Sequence, residues 1–136
     1  MHLFLVAPKL TFIYAGLLGL IYFALSMNVV RYRWKEKQGL GHAADPKSGL
    51  FKRIRIHANF MEYIPFLLLL LAFDEMTGQS PTAVHAVGAG LVLGRLGHFL
   101  GLRKTDGASV GRFLGTFVTF GALIYLSANL LYKGLA

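Results

Sequence analysis

Residues 11–30 read TFIYAGLLGLIYFALSMNVV, a run of 20 residues without a single charge. This is the length an α-helix needs to cross the hydrocarbon of a bilayer, about 20 mostly apolar residues, and a helix satisfies its backbone hydrogen bonds internally where no water is available. The run is longer than the core of a cleavable signal, about 7–15 residues, and its basic flank follows it, so it reads as a retained span. Three more apolar stretches of spanning length follow at residues 54–73, 82–102 and 112–132. The expected fold class is therefore an all-α membrane protein, a four-transmembrane-helix bundle forming one integral membrane domain over residues 1–136.

Composition agrees with that reading. Hydrophobic residues make up 55% of the chain and charged residues only 15%, against about 25% charged in an ordinary soluble domain. The mean hydropathy of +0.56 leaves much apolar surface that must face lipid rather than water. There are no cysteines, which excludes a disulfide framework, a thiolate metal site and a cysteine nucleophile.

The net charge of +8 would suit nucleic acid, anionic lipid or an anionic ligand, and the positions of the charges decide among them. Eight basic residues lie between Arg31 and Arg55, and Arg103, Lys104 and Arg112 flank the third connection, whereas the connection at 74–81 has none. By the positive-inside rule the loops at 31–53 and 103–111 are cytoplasmic and both termini lie on the opposite side. The charge is then mainly topogenic, and no soluble basic domain remains to bind nucleic acid.

Small residues recur on the third span at Ala86, Gly90 and Gly94, and again at Gly97 and Gly101, a spacing that lets helix backbones approach closely. Pro65 removes one backbone donor inside the second span and predicts a bend there, while Pro81 suits the first turn of the third helix.

Ionisable residues inside apolar spans are costly in lipid and point by default to an interior site. Glu62 and Arg95 stand out, each about eight residues, or roughly 12 Å, from the basic end of its helix. Arg55, Asn59 and Glu62 are spaced i, i+4, i+7 and share one helix face. Arg95 shares a face with His98, which falls near the depth of Asn59. Arg112 opens the fourth helix on the same membrane side, and Arg31 and Arg33 close the first. The set reads as a cationic pocket opening to the cytoplasm. The plainer alternative is a Glu62–Arg95 ion pair locking two helices, with Asn59 and His98 satisfying each other. His57 lies off the stripe, and His42 and His85 read as surface or loop histidines. No carboxylate-rich set at ligand spacing accompanies His57 or His98, so no metal site is expected, and neither a serine nucleophile turn nor a glycine-rich phosphate loop is present.

The string Arg55-Ile-His57-Ala58-Asn59-Phe60-Met61-Glu62-Tyr63-Ile64-Pro65 resembles the signature of the membrane-associated proteins in eicosanoid and glutathione metabolism, the MAPEG superfamily. Gly39-Leu40-Gly41, Gly94-Arg95-Leu96-Gly97-His98 and Arg112 extend the resemblance over nearly the whole chain. It is greatest to the short bacterial members, which implies residence in a bacterial inner membrane. The resemblance implies a homotrimer of four-helix subunits holding glutathione between neighbours, near the cytoplasmic side. Carried over by motif, Arg55, Asn59, Glu62 and Tyr63 match positions that contact glutathione, and His57 takes a position that is Gln or His in relatives. Arg95 and His98 match third-helix positions lining the site, Arg31 matches a first-helix arginine at the ligand, and Arg112 matches the arginine credited with stabilising the thiolate. Two positions depart from the pattern. Leu102 stands where the family has a ligand-binding Tyr, and Ala58 where some synthases carry an arginine, each removing a polar contact.

The residue types suit that ligand. Arginines grip carboxylates in bidentate fashion, Glu62 suits an ammonium, and a guanidinium beside sulfur lowers its pKa. The leading expectation is a glutathione-dependent membrane enzyme that conjugates the thiol to lipophilic electrophiles or reduces lipid hydroperoxides. The alternative is a non-catalytic lipid-binding or scaffold protein on the same fold. A small proton-coupled transporter fits less well, since the first helix has no acid and Glu62 has candidate arginine partners.

Overall fold

The structure is a computed structural model, and its description covers residues 6–43, 45–104 and 110–136, with the side chains of residues 101–104 and of Arg112 outside it. Four helices account for nearly all of it: α1 (Lys9–Lys35), α2 (Gly49–Met76), α3 (Pro81–Lys104) and α4 (Val110–Leu135). Each is long and apolar enough to cross a membrane.

The helices reach beyond the apolar windows read from the sequence. The hydropathy of residues 11–30 measures the hydrocarbon thickness, whereas α1 continues through Arg31, Arg33 and Lys35, whose charged ends belong at headgroup level. Defined caps fix the start of α2. Ser48 Oγ accepts from Phe51 N at 3.0 Å, and Glu36 Oε1 accepts from Leu50 N at 2.9 Å. Together these satisfy two of the amides left unpaired at a helix start. Pro65 sits within α2 without ending it, as neighbouring turns of a membrane helix tolerate the missing donor.

Contacts at the helix ends define an antiparallel order. The Glu75 carboxylate at the end of α2 accepts from Leu10 N, Thr11 N and Thr11 Oγ1 at 2.7–2.9 Å, capping the start of α1. Tyr14 on α1 meets His85 on α3, with Tyr14 Oη 2.8 Å from His85 Nδ1. Lys133 near the end of α4 reaches Asp74 near the end of α2. The helices α2 and α3 pack together at the centre, α1 lies against both, and α4 lies against both on another side. Among the described residues α1 and α4 do not touch.

Leu18, Leu25, Ile56, Phe60, Ile64, Leu67, Leu71, Val84, Leu91 and Leu126 form a continuous core. Outside it the surface remains apolar. Leu20 is 69% exposed and Phe117 68%, an arrangement water would penalise and a bilayer does not. Without a hydrophobic drive between helices in lipid, close packing must hold the bundle. The α3–α4 seam supplies it through glycines: a Cβ on Gly111 would lie 2.5 Å from Gly97 O, and one on Gly115 2.6 Å from Gly94 O. Gly94 and Gly97 are among the small residues noted in the sequence, and α4 contributes the matching pair Gly111 and Gly115. The α1–α3 contact uses Gly88 likewise, where a Cβ would fall 2.2 Å from the Tyr14 ring.

Candidate functional site

Arg95 is only 5% exposed, although it lies in the middle of an apolar helix. Glycine spacing on α3 lets α4 approach closely enough for Thr119 to reach it. Arg95 Nη1 donates to Asn59 Oδ1, and Nη2 donates to Thr119 Oγ1 at 2.8 Å. Thr119 in turn donates to Gly115 O at 2.7 Å, so its remaining lone pair is held toward the guanidinium. The Arg95 Cζ also lies 5.9 Å from the Tyr63 ring centroid, and Tyr63 meets Phe120 edge-on at 5.7 Å. Asn59, Tyr63, Arg95, Thr116, Thr119 and Phe120 line a niche of 30 Å³, room for about one water.

Both of these acceptors are neutral. Among the described residues no carboxylate lies within ion-pair distance of Arg95. The Glu62–Arg95 ion pair of the plainer alternative does not form: Glu62 is exposed on the outer face of α2, and the depth shared by the two residues does not bring them into contact. Asn59 Oδ1 accepts from Arg95, a contact that the plainer reading did not assign to it. His98 is 8% exposed and buried on the same helix as Arg95.

Arg55 is exposed like Glu62. The two flank Asn59 about one turn to either side, so the α2 stripe read from the sequence exists with its centre turned into the bundle and its ends turned out. The structure therefore brings together Asn59, Tyr63 and Arg95, and leaves the charges of Arg55 and Glu62 beside them on the surface.

Two further candidates sit elsewhere. His57 faces α1, with Nε2 3.1 Å from Ser26 Oγ and its ring 5.2 Å from that of Tyr22. Ser26 Oγ also lies 2.9 Å from Tyr22 O, so its single proton is shared between the carbonyl and the imidazole according to the His57 tautomer. Arg31 lines a groove of 570 Å³ formed by α1, the start of α2 and the end of α3. Arg112 lies in the first turn of α4, and its side chain is outside the described residues, as is that of Leu102.

Sequence reasoning overlooked Thr119, an uncharged residue in an apolar span whose role depends on how α4 packs against α3. It also overlooked the polar cluster at the opposite end of the bundle. There Asp74 is fully buried and accepts from Lys133 Nζ at 2.7 Å, Asn129 Nδ2 at 2.6 Å and Gln79 Nε2 at 3.1 Å. An acid followed by Glu75 at the end of an apolar span was the signal that could have found it. Its neutralising lysine lies 59 residues away.

A bundle of four spanning helices with a lipid-exposed apolar surface, built around a buried arginine held by Asn59 and Thr119, defines an integral membrane protein with a polar intramembrane site. The chain belongs to the MAPEG family, whose model matches residues 11–132. It is 39% identical over 89 residues to the inner membrane protein YecN of Escherichia coli, in strain K12 and in a second strain. That match covers 65% of this chain and 66% of YecN, just under two thirds of the relative's length. No solved structure matches significantly.

Proposed function

We propose that this chain is a glutathione-dependent enzyme of a bacterial inner membrane, acting as a homotrimer on lipophilic substrates. The observation that carries the reading is Arg95, a guanidinium buried at mid-span and held by the neutral acceptors Asn59 and Thr119. Among the described residues no counter-charge meets this buried cation, a costly arrangement, and an anionic ligand removes that cost. Glutathione offers two carboxylates, an ammonium and a thiol. Arg95 and Arg55 suit the carboxylates, Glu62 suits the ammonium, and Asn59, Tyr63 and His98 supply polar contacts beside them.

The 30 Å³ niche is far too small for a tripeptide, so one chain supplies only a wall of the site. The exposed charges of Arg55 and Glu62 support the same conclusion, since Glu62 lies roughly 12 Å into the span, where an ionised group facing lipid costs about 2.5–3.5 kcal/mol, and Arg55 lies two turns nearer the basic end on the same face. A second copy covering that face would bury them. Arg31 and His57 lie on the other side of α2 from Asn59 and would reach the same ligand only from the neighbouring copy. Inner-membrane residence is the location stated for YecN, and cytoplasmic placement of loops 31–53 and 103–111 follows from their basic residues.

In this reading Arg112 stabilises the thiolate. The proton leaves the sulfur for water, and the thiolate attacks an electrophilic carbon of a molecule dissolved in the bilayer, forming the C–S bond as the bond from that carbon to its oxygen or halide leaving group breaks and the leaving group carries off the electron pair. With a lipid hydroperoxide as substrate, two thiols are oxidised to the disulfide as the O–O bond is cleaved to alcohol and water. The test is the ultraviolet thiolate signal on titrating glutathione into the detergent-purified protein. A saturable signal that is lost in Arg112→Ala, with that variant still assembled, supports the reading. Absence of the signal in folded wild-type protein overturns it.

A further inference from the structure

We infer that the turn closing α1 holds the phosphate headgroup of an anionic membrane lipid, between the Trp34 ring and the Lys37 ammonium. Val30, Arg33, Trp34, Lys37, Gln38 and Gly39 line an open hollow of 510 Å³. It shares no lining residue with the groove that contains Arg31. Its level along the helix is that of the headgroups. The uncharged run ends at Val30, and Trp34 follows four residues later, about 6 Å along the axis, where tryptophan rings settle at a membrane–water interface. Trp34 is 82% exposed, a surface that water alone would penalise.

The backbone of the turn sets Lys37 apart. With Glu36 as the C-cap of α1, Lys37 N donates to Trp34 O at 3.3 Å and Gln38 N to Arg33 O at 3.0 Å. This paired closure is a Schellman motif, whose left-handed position usually falls to glycine. Here Lys37 takes it, at φ 52°, alone among the described non-glycine residues. Glycine reaches that conformation freely, whereas a residue with a Cβ is strained in it. Strain of this kind collects at ligand-binding positions, and Lys37 stands in the wall of the hollow.

Arg33 fixes the rest of the loop. Its Nη1 donates to Gln38 O and Gly39 O, each at 3.4 Å, and its Nη2 to Gly41 O at 3.2 Å. Gln38 Nε2 donates to Leu40 O at 3.4 Å and to His42 O at 2.8 Å. Five successive carbonyls thus turn toward two side chains, and the loop folds back against the last turn of α1. These acceptors are neutral, and among the described residues no carboxylate lies within ion-pair distance of Arg33 or Lys37. A lipid phosphate supplies the counter-charge while the indole rests beside the lipid's acyl carbons. Neither Trp34 nor Lys37 enters the glutathione reading, so each proposal can fail without the other.

Trp34 is the single tryptophan of the chain, so intrinsic tryptophan fluorescence reports on this hollow alone. The experiment reconstitutes the protein in phosphatidylcholine vesicles and titrates in phosphatidylglycerol or phosphatidylcholine carrying a nitroxide near the top of the acyl chain. Labelled phosphatidylglycerol is expected to quench Trp34 at a lower mole fraction than labelled phosphatidylcholine. Lys37→Gly is expected to reduce that preference about fivefold, the effect of one lysine at an anionic surface. Glycine suits the backbone there, so the loss is not one of folding. Lys47→Gln removes the same charge from the same loop outside the hollow and is expected to leave the preference unchanged. Equal quenching by the two lipids overturns the proposal. So does an equal loss in Lys47→Gln, which assigns the effect to diffuse attraction at a basic surface. Absence of quenching by either lipid overturns it as well, since protein rather than lipid then covers the hollow.

Discussion

The guanidinium of Arg95 on α3 is hydrogen-bonded to the side-chain oxygen of Asn59 on α2, and through its second nitrogen to Thr119 on α4. One side chain thus ties three helices together at mid-membrane. Because Thr119 contributes its oxygen only when α4 lies close against α3, the orientation of the cation depends on the glycine seam. Thr119→Val keeps the shape and removes the acceptor. It is expected to cost about 1–3 kcal/mol, the value of a hydrogen bond to a charged buried group, in thermal unfolding followed by circular dichroism in detergent. It is also expected to weaken glutathione binding, whereas Thr116→Val, on the rim of the same niche, leaves the fold unchanged.

The seam itself gives a graded series. A methyl added at Gly115 would lie 2.6 Å from Gly94 O, and one at Gly121 meets nothing within 4 Å. Gly115→Ala is therefore expected to destabilise by about 1–3 kcal/mol, the usual cost of overpacking, with Gly121→Ala close to neutral in the same unfolding assay. Equal stability of the two variants would mean that α3 and α4 part without cost.

How far the sequence discloses this site can be read from particular residues. Hydropathy finds all four helices because lipid imposes one length on every span, and Arg95 is visible because a charge in such a span is rare. Small residues on α3 announce a close contact, but Gly111 and Gly115 acquire meaning only once their partner helix is known. Glu62 and Arg95 share a depth, yet depth leaves the rotation of each helix open, and the two point to different surroundings. Thr119 and Asp74 escape a sequence reading for a related reason. Their partners are distant in sequence, and a threonine or a terminal aspartate is ordinary until the packing removes it from solvent.

Asp74 supplies a test at the other end of the bundle. Its carboxylate is fully buried and Lys133 is its charged partner, with side-chain exposures of 0% and 25%. Lys133→Met leaves an uncompensated buried charge, expected to cost about 3 kcal/mol, at the low end for such pairs because the lysine is partly solvated. Replacing both residues, as Asp74→Leu/Lys133→Met, is expected to recover much of that loss. A double-mutant cycle in unfolding measures the coupling between them.

Glu75 caps α1 from the end of α2. Its carboxylate accepts from two amides and a hydroxyl at the first turn, the work of a cap supplied from another helix. Glu75→Ala is expected to cost about 0.5–2 kcal/mol and to raise hydrogen exchange at the Leu10 and Thr11 amides while the α2–α4 contacts stay protected. Faster exchange throughout the bundle would instead make Glu75 part of the global fold.

The division of candidate residues between two faces of α2 makes the subunit arrangement testable. Asn59 and Tyr63 turn toward Arg95 and Phe120, whereas His57 turns toward Ser26 and Tyr22 on α1. If each site combines Asn59 and Arg95 of one chain with His57 and Arg31 of the next, a chain carrying Arg95→Leu and a chain carrying Arg31→Ala/His57→Ala are both inactive alone. Mixed in one membrane they form rings in which some junctions pair the intact wall of one chain with the intact wall of its neighbour. Random assembly places such junctions at about a quarter of sites, one half for each side of a head-to-tail contact. Thiolate formation is expected to recover to about that fraction of wild type on co-expression. Recovery requires that the two faces meet across a subunit boundary, because no rearrangement within one inactive chain restores its missing wall. Continued inactivity of the mixture, with both chains shown in the same assembly, would confine His57 and Arg31 to roles within their own chain.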